Sequence, residues 1–285
     1  MANTLRTLGM SCLVLVVDLM VCCADEPASA PTLSPSLRAA LAHMTDFQFS
    51  ESRAAGKSPV EMSRSPLLTF GDAARNNESG TLWMWGRGGR PLAMLELFRP
   101  SGENQSWVHA VTSTSPRLGK LDDSAGHRWT PRTSHFSLAE MPDSGEVATT
   151  SQQRLRRMKE LSRRFSAHQF WDQNNSRYEL RLLVQPVHRY RDDDAHVLDG
   201  AVFVLAHGTN PEVLLQIEAQ ATDPQPVWQY SLARLGSAEM HVQLDGREVW
   251  TVQRTPGVVG QPDDPYWLFV TPAKPVSVEN PKITP

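Results

Sequence analysis

Cysteine is nearly missing from this chain: there are three, at Cys12, Cys22 and Cys23, and none follows. A chain that loses its first two dozen residues therefore keeps no thiol. That excludes a disulfide framework, a thiolate nucleophile, a Cys-ligated zinc ion and an iron–sulfur cluster. Catalytic signatures are absent as well. No G-x-S-x-G elbow presents a serine, and the nine histidines contain no H-E-x-x-H pair for zinc. The glycines at Gly86, Gly88 and Gly89 stand between two strand-like runs, with no helix behind them to cradle a phosphate. A net charge of −3 is too small to imply a polyanionic partner, so no nucleic acid is expected. No cofactor is expected either.

What is present begins with an export-type leader. Arg6 supplies the positive end, "CLVLVVDLMV" the short apolar run, and "VCCA" small residues for cleavage after Ala24. The run is shorter than the roughly 20 residues that span a bilayer. The expectation is an exported protein of the periplasm or cell surface. In a lipid-anchored variant, Cys22 or Cys23 would carry the lipid, although Leu19-Met20-Val21 lacks the small residue such a signal places before its cysteine. The domain expectation is a signal peptide over 1–24 and a disordered Pro/Ser/Ala linker over 25–36. A single β-rich domain over 37–270 and a disordered Pro-rich tail over 271–285 follow.

Within the domain, "SLRAALAHM" (Ser36–Met44) predicts a short helix. "GTLWMWGRGGRPLAMLELF" reads as a hairpin that puts Trp83 and Trp85 on one face of their strand. "SWVHAVTS" (Ser106–Ser113) adds an extended piece, and Thr114–Thr150 an irregular excursion. Leu155, Met158, Leu161 and Phe165 recur at helical spacing, which predicts one long amphipathic helix over Ser151–Trp171, capped by Ser151 and packed on a sheet. Strand then follows strand. "DGAVFVLAH" is apolar at both parities, the mark of a central strand covered on both sides. In "EVLLQIEAQ", Leu214, Gln216, Glu218 and Gln220 share one face and predict a wet side. Asp245-Gly246 predicts a type I′ turn that sets Val242 against Val249. Short turns between strands mean antiparallel neighbours. The fold class is therefore β-rich α+β: a twisted, largely antiparallel sheet, in one variant partly closed into a barrel, with the long helix on one face.

Chemistry-bearing residues are sparse. His207, in "AHGTNP", could sit at an oxyanion turn, but Gly, Asn and Pro are turn residues and make it a corner. An enzyme would need His188, His207 or His241 to converge with acids such as Asp199 or Glu248. Asp192, Asp194 and His196 could hold a cation, yet consecutive carboxylates point apart and suit a solvated turn better. Arg156, Arg157, Arg163 and Arg164 would give the long helix an anion-binding face towards lipid headgroups or another anionic surface. The tryptophans read as core residues, or as a platform for a sugar or apolar ligand.

Together, "GTLWMW", "RPLAMLELF", "LRLLVQPVHRY", "LDGAVFVLAHGTNPEVLLQIEA" and "DGREVW" resemble a recurrent bacterial family of exported proteins of unknown function. These are strand and turn motifs, so the resemblance implies a secreted single module and transfers no functional residue. The first functional expectation is a non-enzymatic exported module that binds a ligand or a cell-envelope partner. The second is a hydrolase-like or metal-assisted enzyme working from the strand ends. The third is a peripheral protein docking on a membrane surface through the Arg-rich helix.

Overall fold

Period-two apolar patterning dominates this chain, and the computed structural model turns it into three antiparallel sheets. The structure describes residues 33–51, 59–72, 77–86, 88–100, 106–255 and 261–272. The expected leader with Cys22 and Cys23, the first part of the linker and the tail beyond Pro272 lie outside the described residues.

Along the chain, α1 (Pro35–Met44) precedes β1 (Gln48–Glu51), β2 (Leu68–Asp72), β3 (Asn77–Trp85), β4 (Ala93–Pro100) and β5 (Ser106–Ser113). The excursion after Thr114 contains three short strands: β6 (Gly119–Asp122), β7 (Arg128–Trp129) and β8 (Ala139–Glu140). Then come α2 (Ser151–Ser162), β9 (Phe165–Phe170), β10 (Arg177–Asp192), β11 (Val197–His207) and β12 (Asn210–Gln220). The last strands are β13 (Val227–Arg234), β14 (Glu239–Leu244), β15 (Arg247–Val252) and β16 (Tyr266–Pro272). β16 thus takes in Thr271 and Pro272, two residues assigned above to the tail.

An eight-stranded sheet runs in the order β15-β14-β9-β10-β11-β12-β13-β8 and curls into a half-barrel. A five-stranded sheet, β16-β5-β4-β3-β2, lies against it, and β1-β6-β7 form a third, small sheet. Strand alternation sorts the side chains into three cores. Ala201, Phe203 and Leu205 of β11 pack with Leu215 and Ile217 under Met158 and Leu161 of α2. On the opposite face, Val202, Val204 and Leu214 meet Leu82, Met84 and Met94 of the five-stranded sheet. The far side of that second sheet carries Trp83, Trp85, Leu95 and Leu97, covered by Met44 of α1, Phe49, Leu121 and Trp129. The Trp83/Trp85 pairing on one face is as the alternation requires, and both rings are core residues.

The long helix is a correction. α2 stops at Ser162, and the next residues form β9 between β10 and β14. Phe165 continues the helical stripe on paper, but Phe165 and Ala167 also alternate with Ser166 and His168, and two neighbouring strands offer ladder hydrogen bonds to that alternative. Thr150 caps the helix in place of Ser151: its Oγ1 accepts the Gln153 amide at 3.3 Å.

The wet face of β12 is a second correction, since every residue of β12 is buried. The five-stranded sheet covers Leu214, Gln216, Glu218 and Gln220, and local patterning carries no sign of a second sheet. A smaller correction concerns the β14–β15 hairpin, where a register shift after Val242 opposes it to Trp250 instead of Val249. β11 does prove central and covered on both sides.

Candidate functional site

The structure separates the residues named as catalytic candidates. His207 ends β11 opposite Asn210, with Gly208 turning at a φ of +60°: it occupies a hairpin corner. Its ring stands edge-on to Tyr178 at 5.3 Å and Trp171 at 6.2 Å. Asp199 lies eight residues back along the same strand, about 26 Å away at the rise of an extended chain. Its carboxylate accepts Arg154 Nε at 3.0 Å and Arg189 Nε at 2.9 Å. Those guanidiniums also bind the carbonyls of Ala148, Thr149 and Ser151. Asp199 therefore docks the start of α2 on the sheet. His188 faces the other side, stacked on Tyr190 at 5.7 Å, and burial pushes its imidazole down to about 4. We predict that Asp199→Asn costs about 1–3 kcal/mol in urea denaturation, because two half-buried guanidiniums lose a charged acceptor. A loss below 0.5 kcal/mol would remove its docking role.

The cation candidates are likewise dispersed. Asp192 is buried and accepts the amides of Arg90 (2.9 Å) and Ala195 (3.0 Å). Asp194 is exposed, and exposed His196 closes the β10–β11 turn with a φ of +56°. Among the described residues, no three His, Cys, Asp or Glu side chains gather in a metal-holding group. Of the Arg-helix set, Arg164 binds Asp245 and the Pro142 carbonyl, and Arg157 binds the Ser144 carbonyl at 2.8 Å. Among the described residues Arg156 pairs with Glu160, and it and Arg163 face solvent. His241, the last histidine considered above, lies between Glu248 (2.7 Å) and Glu239 (3.1 Å), stacked on His168. Burial works against its imidazolium, but the two carboxylates outweigh it and hold its pKa above the ordinary value.

An arrangement that gathers buried polar groups beside a half-open cleft was not foreseen. Between the two large sheets lies a cleft of about 440 Å³. The five-stranded sheet supplies Glu96, Phe98, Ala110, Tyr266 and Leu268. Pairing of Glu96 with Ala110 and of Ala110 with Leu268 sets three of them in one row across β4, β5 and β16. The opposite wall is Asn210 and the Leu235–Ala238 segment, with Trp171, Arg254 and Thr255.

Three of the polar groups lie deep. Glu96 is 3% exposed, while Tyr266 and Asn210 are each 4% exposed. Asn210 Nδ2 donates to Glu212 Oε1 at 2.9 Å, and its Oδ1 has no hydrogen-bond partner among the described residues. Glu212 is fully buried behind this wall, and its carbonyl accepts the Leu235 and Gly236 amides. A Cβ on Gly236 would stand 2.0 Å from Glu212 Oε2, so any larger residue there would push that carboxylate aside.

Two guanidiniums flank the cleft, and both are directed at main-chain carbonyls. Buried Arg234 donates to the carbonyls of Gly236 (2.9 Å), Gln253 (3.0 Å) and Ala238 (3.0 Å) and lies over the Tyr266 ring. Burial holds its pKa below the ordinary value. Exposed Arg254 donates to the carbonyls of Phe170 and Asp172, tying the β9–β10 hairpin to the chain beyond β15. The result is a half-open cleft of mixed lining with acceptor groups buried in its walls, suited to holding a ligand. The one sequence signal was Glu96 itself, a carboxylate inside the apolar run "PLAMLELF". No family model, curated protein or solved structure matches the chain.

Proposed function

We propose that this protein is an exported, non-enzymatic binding module that takes a small amphiphilic ligand into the cleft between its two large sheets. The observation carrying this reading is the cleft of about 440 Å³ with apolar walls from both sheets and buried Glu96, Asn210 and Tyr266 among them. That volume lies within the range of ligand sites, whose few polar groups orient a mostly apolar guest. The leader-like first residues and the cysteine-free remainder support export. The separation of His207, His188 and Asp199 supports a role without chemistry.

The test is thermal denaturation of the full chain with eight-carbon amphiphiles bearing cationic, neutral or anionic heads. A bound member at a hundredfold excess over its Kd adds about 2.7 kcal/mol to stability and raises Tm by several degrees. Ala110→Phe fills the cleft from β5 and should abolish that rise. If no member raises Tm, or if Ala110→Phe leaves the rise intact, the cleft is not the binding site.

A further inference from the structure

We infer that the ligand presents a protonated amine to the buried end of the cleft, with its apolar body lying against Phe98, Leu235 and Leu268. This inference rests on the cleft being the binding site. An ammonium group carries three donors and no acceptor, so its site must be built from acceptors. Three segments distant in sequence supply them: the Glu96 carboxylate on β4, Asn210 Oδ1 at the start of β12, and the Tyr266 hydroxyl on β16. Asn210 Oδ1 is the most specific indicator. A buried acceptor without a partner is costly and uncommon, and only a donor from outside the described residues would satisfy it.

Charge points the same way. Glu96 lines the cleft and Glu212 stands directly behind Asn210, so the deep end is carboxylate-rich. The guanidiniums that would welcome an anionic head are otherwise engaged. Arg234 spends three donors on main-chain carbonyls, and Arg254 is exposed at the rim, where water and salt screen it. The indole of Trp171 adds a face that attracts a cation, while the Tyr266 ring already holds the Arg234 guanidinium. A carboxylate head placed at this depth would meet the like charge of Glu96, and a hydroxyl would forgo the ionic attraction.

The experiment compares octylammonium, octanol and octanoate by calorimetry on the full chain at pH 7.5. Octylammonium should bind at least tenfold more tightly than octanol, and octanoate more weakly than both. Glu96→Gln should weaken octylammonium by about 30-fold or more while octanol changes little. Should that variant fail to fold, Asn210→Leu, which removes the acceptor but leaves Glu96, should lower the same preference. Octanol or octanoate binding as tightly as octylammonium would overturn the amine assignment and leave the cleft reading in place. Binding by none of the three, or binding unaffected by Ala110→Phe, would overturn both.

Discussion

Acidification from pH 6.5 to pH 4.5 is expected to remove most of this protein's stability, before the bulk of its carboxylates are protonated. Three histidines are responsible. His109 is held down to about 3, first by burial and then by the nearby His43 and His127, and His135 and His188 are held down to about 4 chiefly by burial. In the unfolded chain each takes its proton near the ordinary 6.5; in the folded chain each stays neutral until pH 3–4. The unfolded state therefore binds more protons throughout this window, and stability must fall as pH falls. Each histidine contributes about 1.4 kcal/mol per pH unit, so the three together cost roughly 7 kcal/mol by pH 4.5. That is comparable with the whole stability of an ordinary domain.

The geometry at His109 shows why its proton is refused. Its Nδ1 faces the Phe269 carbonyl at 3.4 Å, and its Nε2 faces His43 Nε2 at 2.8 Å, where one nitrogen must donate and the other accept. A second proton would set two donors against each other between α1 and the sheet. His241 works in the opposite sense, gaining stability in acid between its two glutamates, but one such residue does not offset three. Urea denaturation at pH 7.5, 6.5, 5.5 and 4.5 measures the slope, and His109→Gln, His135→Gln and His188→Gln should each flatten it by about one proton. A slope of zero between pH 6.5 and 5 would refute the assignment.

Arg90→Met is expected to cost about 3–5 kcal/mol, the largest effect foreseen for a single side chain. Arg90, from the β3–β4 turn, forms a two-point pair with Glu218 of β12: Nε to Oε1 at 2.7 Å and Nη2 to Oε2 at 2.7 Å. The Tyr190 hydroxyl donates to the same carboxylate at 2.6 Å, Gln220 supplies another donor, and the Arg90 guanidinium covers the Phe136 ring. Both charged side chains are nearly inaccessible, 6% for Arg90 and 0% for Glu218. Burial and the adjacent Glu218 charge also hold the Tyr190 phenol well above its ordinary pKa.

Removing the guanidinium leaves a carboxylate in the interior with its opposite charge gone. Its desolvation is then uncompensated, which is why breaking such a pair costs more than the pair contributes. The same logic gives the signature. Arg90→Met/Glu218→Leu should be more stable than Arg90→Met alone, because the orphaned charge leaves with its partner. Urea denaturation of the two single variants and the double variant closes the cycle. If the double variant lost the sum of the single losses, the pair would be acting as two independent contacts.

Several long strands, two of the hairpin turns and the central core were determined by the chain itself. In β11, both parities are apolar; Asp245-Gly246 and Gly208-Thr209 sit where two strands must reverse; Trp83 and Trp85 share a face because alternation demands it. Local periodicity suffices for these features, because each depends on residues a few positions apart. Three matters were decided only by the tertiary structure. Phe165–Phe170 fit a helical stripe and a strand equally well, and the open ladders of β10 and β14 chose the strand. Gln216, Glu218 and Gln220 look like a solvated face until the fold buries them and Arg90, over a hundred positions earlier, pairs with Glu218. The cleft draws Glu96, Asn210 and Tyr266 into the walls of one space, and no local pattern records such a meeting, because it is set by how the two sheets stack.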